Sequence, residues 1–150
     1  MQRELEAVSL HGKGCNCAQA VLAVFSADQG LDREMTMRVA TGFGGGMGRS
    51  GNTCGAVTGA CMVLGLSRGM RRAEDAAAKE STYALVAEFC RQFMEKHATL
   101  VCRELLGVDI GTAKGLEAAR DRGLFTTVCK DMIRDAVVIL EKMLEGGDDA

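Results

Sequence analysis

The sequence predicts an all-α fold, a single-domain bundle of about seven or eight helices. Three observations carry this. Apolar residues recur at helical spacing along most of the chain, and no alternating β-branched run is long enough for a strand. Proline is absent from the 150 residues, so no proline breaks a helix anywhere. The 19 glycines therefore carry the punctuation. With 47% hydrophobic residues the chain can bury a core as one domain over residues 1–150, and its composition excludes a disordered polymer.

Taken in order, residues 2–11 read as a short amphipathic helix through Leu5, Val8 and Leu10. Residues 16–28 form a second, with Asn16 as N-cap, Ala18, Val21, Leu22, Val24 and Phe25 apolar, and Gly30 past its end. Asp32 caps a third, carrying Met35, Met37, Val39 and Ala40. Gly42 to Gly51 holds six glycines in ten residues and must be a loop. Thr53 is expected to cap a nearly all-apolar helix that runs to Leu66 or Ser67 and ends at Gly69. A helix apolar all round belongs at the centre of a domain. Residues 72–97 read as the longest helix, with Tyr83, Val86, Cys90, Phe93, Met94 and His97 on one face. Thr99 opens a short turn ending at Gly107, and residues 112–122 form a charged helix ending at Gly123. Thr126 or Thr127 opens the last helix, which runs to about Glu145 with Met132, Ile133, Ala136, Val137, Leu140 and Leu144 on its face. Asp148 and Asp149 fall in a frayed tail.

Charge and composition exclude several function classes. The net charge is −2, with Arg71-Arg72 the one basic pair and no tryptophan, so nucleic-acid binding is not expected. The opening residues alternate charges, unlike a secretory leader. The most apolar stretch, Gly55 to Leu66, is interrupted by three glycines and is too short for membrane insertion. A cytoplasmic protein is expected. There the odd count of seven cysteines favours metal binding or redox chemistry over permanent disulfides.

Helix position divides those cysteines. Cys17 follows the Asn16 cap and Cys54 follows Thr53. Thr99 as cap makes Cys102 the third helical residue, and Thr126 does the same for Cys129. Four thiols are thus expected in the first turns of four helices, where unpaired N–H groups and the macrodipole favour thiolate, the form that attacks electrophiles and binds metals. Any one of them alone reads as core filler; four together do not. Cys61 and Cys90 read as core, the former roughly 10 Å along its helix from Cys54, and Cys15 as incidental. The four are separated by 37, 48 and 27 residues, with no Cys-x-x-Cys pair, so any common site is assembled by the fold.

The glycine loop formally satisfies G-x-G-x-x-G over Gly46 to Gly51. No strand precedes it, and the dinucleotide reading is weak. Support of the nearby Cys54, with Arg49 adding positive charge, fits better than a mere connection. Met47 could lie over such a site. His97 could serve as ligand or proton donor, but reads more simply as a helix end, as does His11. Glu74, Glu80 and Glu88 are spaced for solvent.

Asn16-Cys17-Ala18-Gln19-Ala20-Val21-Leu22, the loop Gly42-Phe43-Gly44-Gly45-Gly46-Met47-Gly48, the block Cys54-Gly55-Ala56-Val57-Thr58-Gly59-Ala60, Cys102 with Glu104-Leu105-Leu106-Gly107, and Cys129 together resemble the redox-active C_GCAxxG_C_C family. The likeness runs from about residue 10 to 140. It implies a small, helical, prokaryotic protein whose shared cysteines are Cys17, Cys54, Cys102 and Cys129, the same four that capping selects. Some relatives are fused to cytochrome-like or other electron-transfer modules, which favours an iron–sulfur centre. Cys15, Cys61 and Cys90 lie outside the pattern.

Four functions remain open. The four thiolates could hold an iron–sulfur cluster, two-iron two-sulfur being the best fit, as electron carrier, oxidoreductase or redox sensor with an unidentified redox partner protein. Two of them could cycle as a metal-free dithiol. All four could hold structural zinc, although a core of this size needs no metal staple. A helical interaction module with buried cysteines is the fourth. Homo-oligomerisation is left open.

Overall fold

The computed structural model describes residues 2–146. It is all-α, with eight α-helices among the described residues: α1 (Arg3–Gly12), α2 (Cys17–Ser26, extended by a 3-10 turn at Ala27–Gln29), α3 (Arg33–Thr41), α4 (Gly55–Arg68), α5 (Ala76–His97), α6 (Cys102–Leu106), α7 (Ala113–Asp121) and α8 (Leu124–Gly146). Asp148 and Asp149 lie outside the described residues.

The apolar helix is central as expected: α4 packs against α2, α5 and α8, and buries Ala56, Val57, Ala60, Val63 and Leu64. Its most extensive neighbour is α2. The closeness has a sequence cause. A Cβ on Gly55 would lie 3.0 Å from the Ala18 nitrogen and from the Cys17 Cβ, and one on Gly59 2.9 Å from the Ala18 carbonyl. Glycine at both positions, one helical turn apart, lets the helices approach until Cys17 and Cys54 share a neighbourhood.

Asn16 caps α2 through a full capping box: its Oδ1 accepts from the Gln19 amide at 2.8 Å, and its own amide donates to Gln19 Oε1 at 2.9 Å. The same two side chains tie α2 to the end of α3, Asn16 donating to the Ala40 and Thr41 carbonyls and Gln19 to the Met37 carbonyl. Asp32 caps α3 and Thr112 caps α7.

Three expected caps fail. Thr53 does not cap α4; it pairs across an isolated antiparallel bridge with Val101, and Cys54 itself occupies the N-cap position. Thr99 does not cap α6, which has Val101 at its N-cap; its hydroxyl accepts from the Val101 amide and bonds to Glu104. Thr126 and Thr127 do not open α8. The helix starts at Leu124, directly after left-handed Gly123, and both hydroxyls donate back to the Gly123 carbonyl. Nor is the helix of residues 72–97 the longest. The Asp75 carboxylate accepts from the Arg71 amide and holds a turn there, so α5 begins at Ala76 with 22 residues against 23 in α8. Its buried face is Phe89 and Phe93, whereas Tyr83 and Met94 are exposed.

The buried residues form two clusters. The larger spans α1 to α5 and α8; the smaller gathers Cys102, Leu106, Ile110, Ala119, Leu124 and Cys129 around α6, α7 and the start of α8. Cys17 packs against both, so it marks the seam between them.

Candidate functional site

A cavity of about 630 Å³ opens at this seam, and Cys17, Cys54, Cys102 and Cys129 all line it. Three structural devices overcome their long separations in sequence. The α2–α4 approach brings in Cys17. A short backbone ladder joins the segment before α4 to the segment before α6: the Cys54 amide donates to the Leu100 carbonyl at 2.8 Å, the Cys102 amide to Asn52 at 2.6 Å, and the Arg103 amide to Gly51 at 3.0 Å. This ladder sets Cys54 beside Cys102. Packing of α8 on α1, α2 and α4 supplies Cys129.

The glycine loop is a built element rather than a slack connection. Five successive residues, Gly45 to Arg49, have φ between 60° and 74°, and Met47 and Arg49 among them carry side chains in that costly region. Amides of Gly48, Arg49, Gly51 and Asn52 donate to carbonyls five or six residues earlier. A Cβ on Gly46, whose φ is +68°, would lie 2.7 Å from the Cys102 Cβ and 2.7 Å from the Asn52 nitrogen. The loop therefore supports Cys102 directly, and reaches the neighbourhood of Cys54 through the ladder and through the Phe43 carbonyl, which lies 3.3 Å from where a Cβ on Gly55 would stand. Met47 is exposed and does not line the cavity.

The expected lowering of thiol pKa at helix starts is overturned for three of the four. Cys17, the first residue of α2, is raised well above the usual thiol range, because its hydrogen bond to Cys129 holds its proton and burial adds to this. Cys54 is pushed up to about 12 by burial, with the Ala56 and Val57 amides at the helix start pulling the other way. Burial also lifts Cys102, the first residue of α6 rather than the third, to about 11. Loss of water around a thiolate outweighs the partial charge of a helix terminus. Cys129 alone is lowered, through the hydrogen bond it receives from Cys17 and against its own burial. It sits sixth in α8, outside the first turn, so a neighbouring thiol and not a helix terminus favours its thiolate. Each of the six pairs among the four cysteines is close enough for one charge to disfavour the other, or is hydrogen-bonded.

His11 is the residue that sequence reasoning missed. It finishes α1 as expected, but it also lines the cavity, and its ring nitrogen lies with the Cys17 and Cys129 sulfurs in a group whose atoms are all within 4.8 Å of one another. Burial lowers its pKa. The tight turn between α1 and α2, where the Cys15 amide returns to the Leu10 carbonyl, sets the end of one helix beside the start of the next and so brings His11 to Cys17. Cys15 also lines the cavity, its thiol facing the Met37 sulfur at 3.9 Å.

The other candidates lie elsewhere. His97 ends α5, bonds to Asp135 at 2.8 Å, lies tilted against the Phe93 ring and does not line the cavity. Cys61 and Cys90 pack into the larger core and interact with each other, away from the cavity. Among the described residues no helix is long and apolar enough to cross a membrane.

The model of the family described as "Putative redox-active protein (C_GCAxxG_C_C)" matches residues 15–143. No curated protein and no solved structure matches the chain. The match takes in Cys17, Cys54, Cys102 and Cys129, the glycine loop and the Cys54–Gly59 block, and it places the chain in the redox-active C_GCAxxG_C_C family.

Proposed function

We propose that Cys17, Cys54, Cys102 and Cys129 hold an iron–sulfur cluster of the two-iron two-sulfur type, and that the protein serves electron transfer or redox sensing with a partner protein. The observation that carries this reading is the convergence of four thiols from four elements on one cavity, each within electrostatic reach of the other three. Four cysteine sulfurs complete the ligand shell of such a cluster. The donor set fits in a second way. Gly46 and Gly55 stand where any Cβ would press on Cys102 and Cys17, so the walls are cut back around the sulfurs.

When bound, a cluster of this kind supplies one-electron chemistry. The chain's own residues do the rest. The apolar surroundings of Cys54 and Cys102 limit water, and the buried thiols keep their protons until a cation replaces them. His11 stands beside Cys17 and Cys129 as an alternative nitrogen ligand, so a mixed Cys/His set for zinc uses the same cavity. Free thiols suit a reducing compartment such as the cytoplasm.

The test is an absorption spectrum of protein purified without oxygen. The account expects a visible band that bleaches on reduction; a colourless protein holding zinc or no metal overturns it. One observation favours a second reading. Cys17 and Cys129 are hydrogen-bonded with opposite pKa shifts, as in a dithiol couple. There the two thiols would form one S–S bond, passing two electrons and two protons to an acceptor disulfide that becomes two thiols. Colourless protein in which these two cysteines alone exchange rapidly with an added disulfide supports that reading.

A further inference from the structure

The cavity is larger than four sulfurs and the ion or cluster between them require, and its charge is one-sided. At about 630 Å³ it falls in the range of small-molecule sites. Leu105, Leu116 and Phe125 supply an apolar wall, and Arg49 and Arg120 stand at the mouth. No aspartate or glutamate among the described residues lines it. Arg3 pairs with Asp28, Arg38 with Glu34, Arg91 with Glu88 and Glu95, and Arg134 with Asp131, whereas Arg33, Arg71, Arg72, Arg103 and Arg122 have no side-chain ion pair among the described residues, so position at the cavity and not lack of a partner singles out Arg49 and Arg120. Among the described residues the guanidinium groups of Arg49 and Arg120 have neither an ion pair nor a hydrogen bond.

Arg49 is notable for its backbone as well. It holds φ +63° in a loop that otherwise fills such positions mainly with glycine, so a long cationic side chain is kept at the mouth despite the strain. Two guanidinium groups free of partners, an apolar wall and thiols inside describe a pocket for a molecule with an anionic end and an apolar body. Guanidinium groups match the paired oxygens of carboxylate and phosphate.

We propose that this cavity binds a small organic anion, a carboxylate or phosphate on an apolar body, which Arg49 and Arg120 draw in toward the thiols. The proposal rests on the reading of the thiols as a redox site and adds a small-molecule ligand to any protein partner. It does not depend on which metal is bound.

Reagent charge tests it. The full chain, reduced and freed of metal under nitrogen with its helicity checked by circular dichroism, is alkylated in parallel with anionic iodoacetate and neutral iodoacetamide. Labelling is read at each cysteine by mass spectrometry. The quantity is the iodoacetate-to-iodoacetamide rate ratio, because a change in thiolate fraction affects both reagents alike and cancels. Cys61 and Cys90 serve as internal references. The proposal expects the ratio at the cavity cysteines to exceed theirs by about threefold to tenfold at low salt, from roughly one nearby charge in a largely aqueous mouth. Arg49→Gln combined with Arg120→Gln should bring the ratio down to the reference value, and Arg49→Lys should preserve it. Benzoate and phenyl phosphate, added as protecting ligands against iodoacetamide, separate the two anion types, with benzyl alcohol as the uncharged control. Cavity thiols that react briskly but without anion preference overturn the proposal and leave the redox site standing. Thiols closed to both reagents also overturn it. Absence of iron with the anion preference intact would instead count against the cluster alone.

Discussion

Two groups of cysteines occupy this molecule, and comparing them shows what makes a site. Cys61 on α4 and Cys90 on α5 interact with each other, pack into the larger core and are raised by burial, Cys61 to about 11. Cys54 and Cys102 are raised by the same cause, to about 12 and about 11. A shifted pKa therefore does not separate the groups. The difference lies in company and in space. Cys17, Cys54, Cys102 and Cys129 share one cavity, with Cys15 also on its wall and His11 beside two of the four, next to glycines that leave room, at the seam of two apolar clusters. The Cys61–Cys90 pair has neither the number nor the opening.

Substitution should separate the groups most sharply. Cys17→Ser, Cys54→Ser, Cys102→Ser and Cys129→Ser should each abolish or strongly reduce bound iron, measured per folded chain, whereas Cys61→Ala and Cys90→Ala should leave it intact. A Cys90→Ala protein stripped of iron would erase the distinction.

The next effect compares two glycines on one helix. Gly55→Ala forces a Cβ to 3.0 Å from Cys17, and should cost about 1–3 kcal/mol in urea unfolding. Gly65 faces open space within the same α4, so Gly65→Ala should stabilise by roughly 0.5–1 kcal/mol through lower chain entropy. Equal effects would mean that the α2–α4 approach has no role in building the cavity.

A smaller change is expected from Cys90→Ala, a loss of about 1 kcal/mol from removing one half-buried sulfur, read as a lower Tm. The alkaline limb of stability reports on the buried thiols as well. Cys61 titrates higher folded than unfolded, so its contribution is complete below the ordinary thiol pKa and fades as pH rises toward about 11. Urea unfolding of metal-free protein should show this decline, and Cys61→Ala should soften it.

Much of this architecture is legible in the sequence. The all-α class, the central apolar helix, and the Asn16 and Asp32 caps follow from periodicity and local hydrogen-bond chemistry. Cys17, Cys54, Cys102 and Cys129 are selected by capping and by family resemblance alike, and the fold brings them together. Local capping preferences are overridden at three threonines. Thr53 and Thr99 lose their caps to a two-segment ladder between positions 48 residues apart, which no local pattern reports. Thr126 loses its cap to Gly123, whose left-handed turn starts the helix earlier. Thiolate stabilisation at helix starts fails because burial depends on tertiary packing. His11 stayed hidden for the same reason: its place at a helix end was readable, and the cavity beneath it was not.

The central claim is that the four convergent thiols form one redox metal centre, and elemental analysis tests it most directly. Protein purified without oxygen should contain about two iron atoms and two acid-labile sulfides per chain, lost together when any of Cys17, Cys54, Cys102 or Cys129 is replaced by serine. Native protein with neither iron nor sulfide, whose four serine variants bind and react as the parent does, would contradict it.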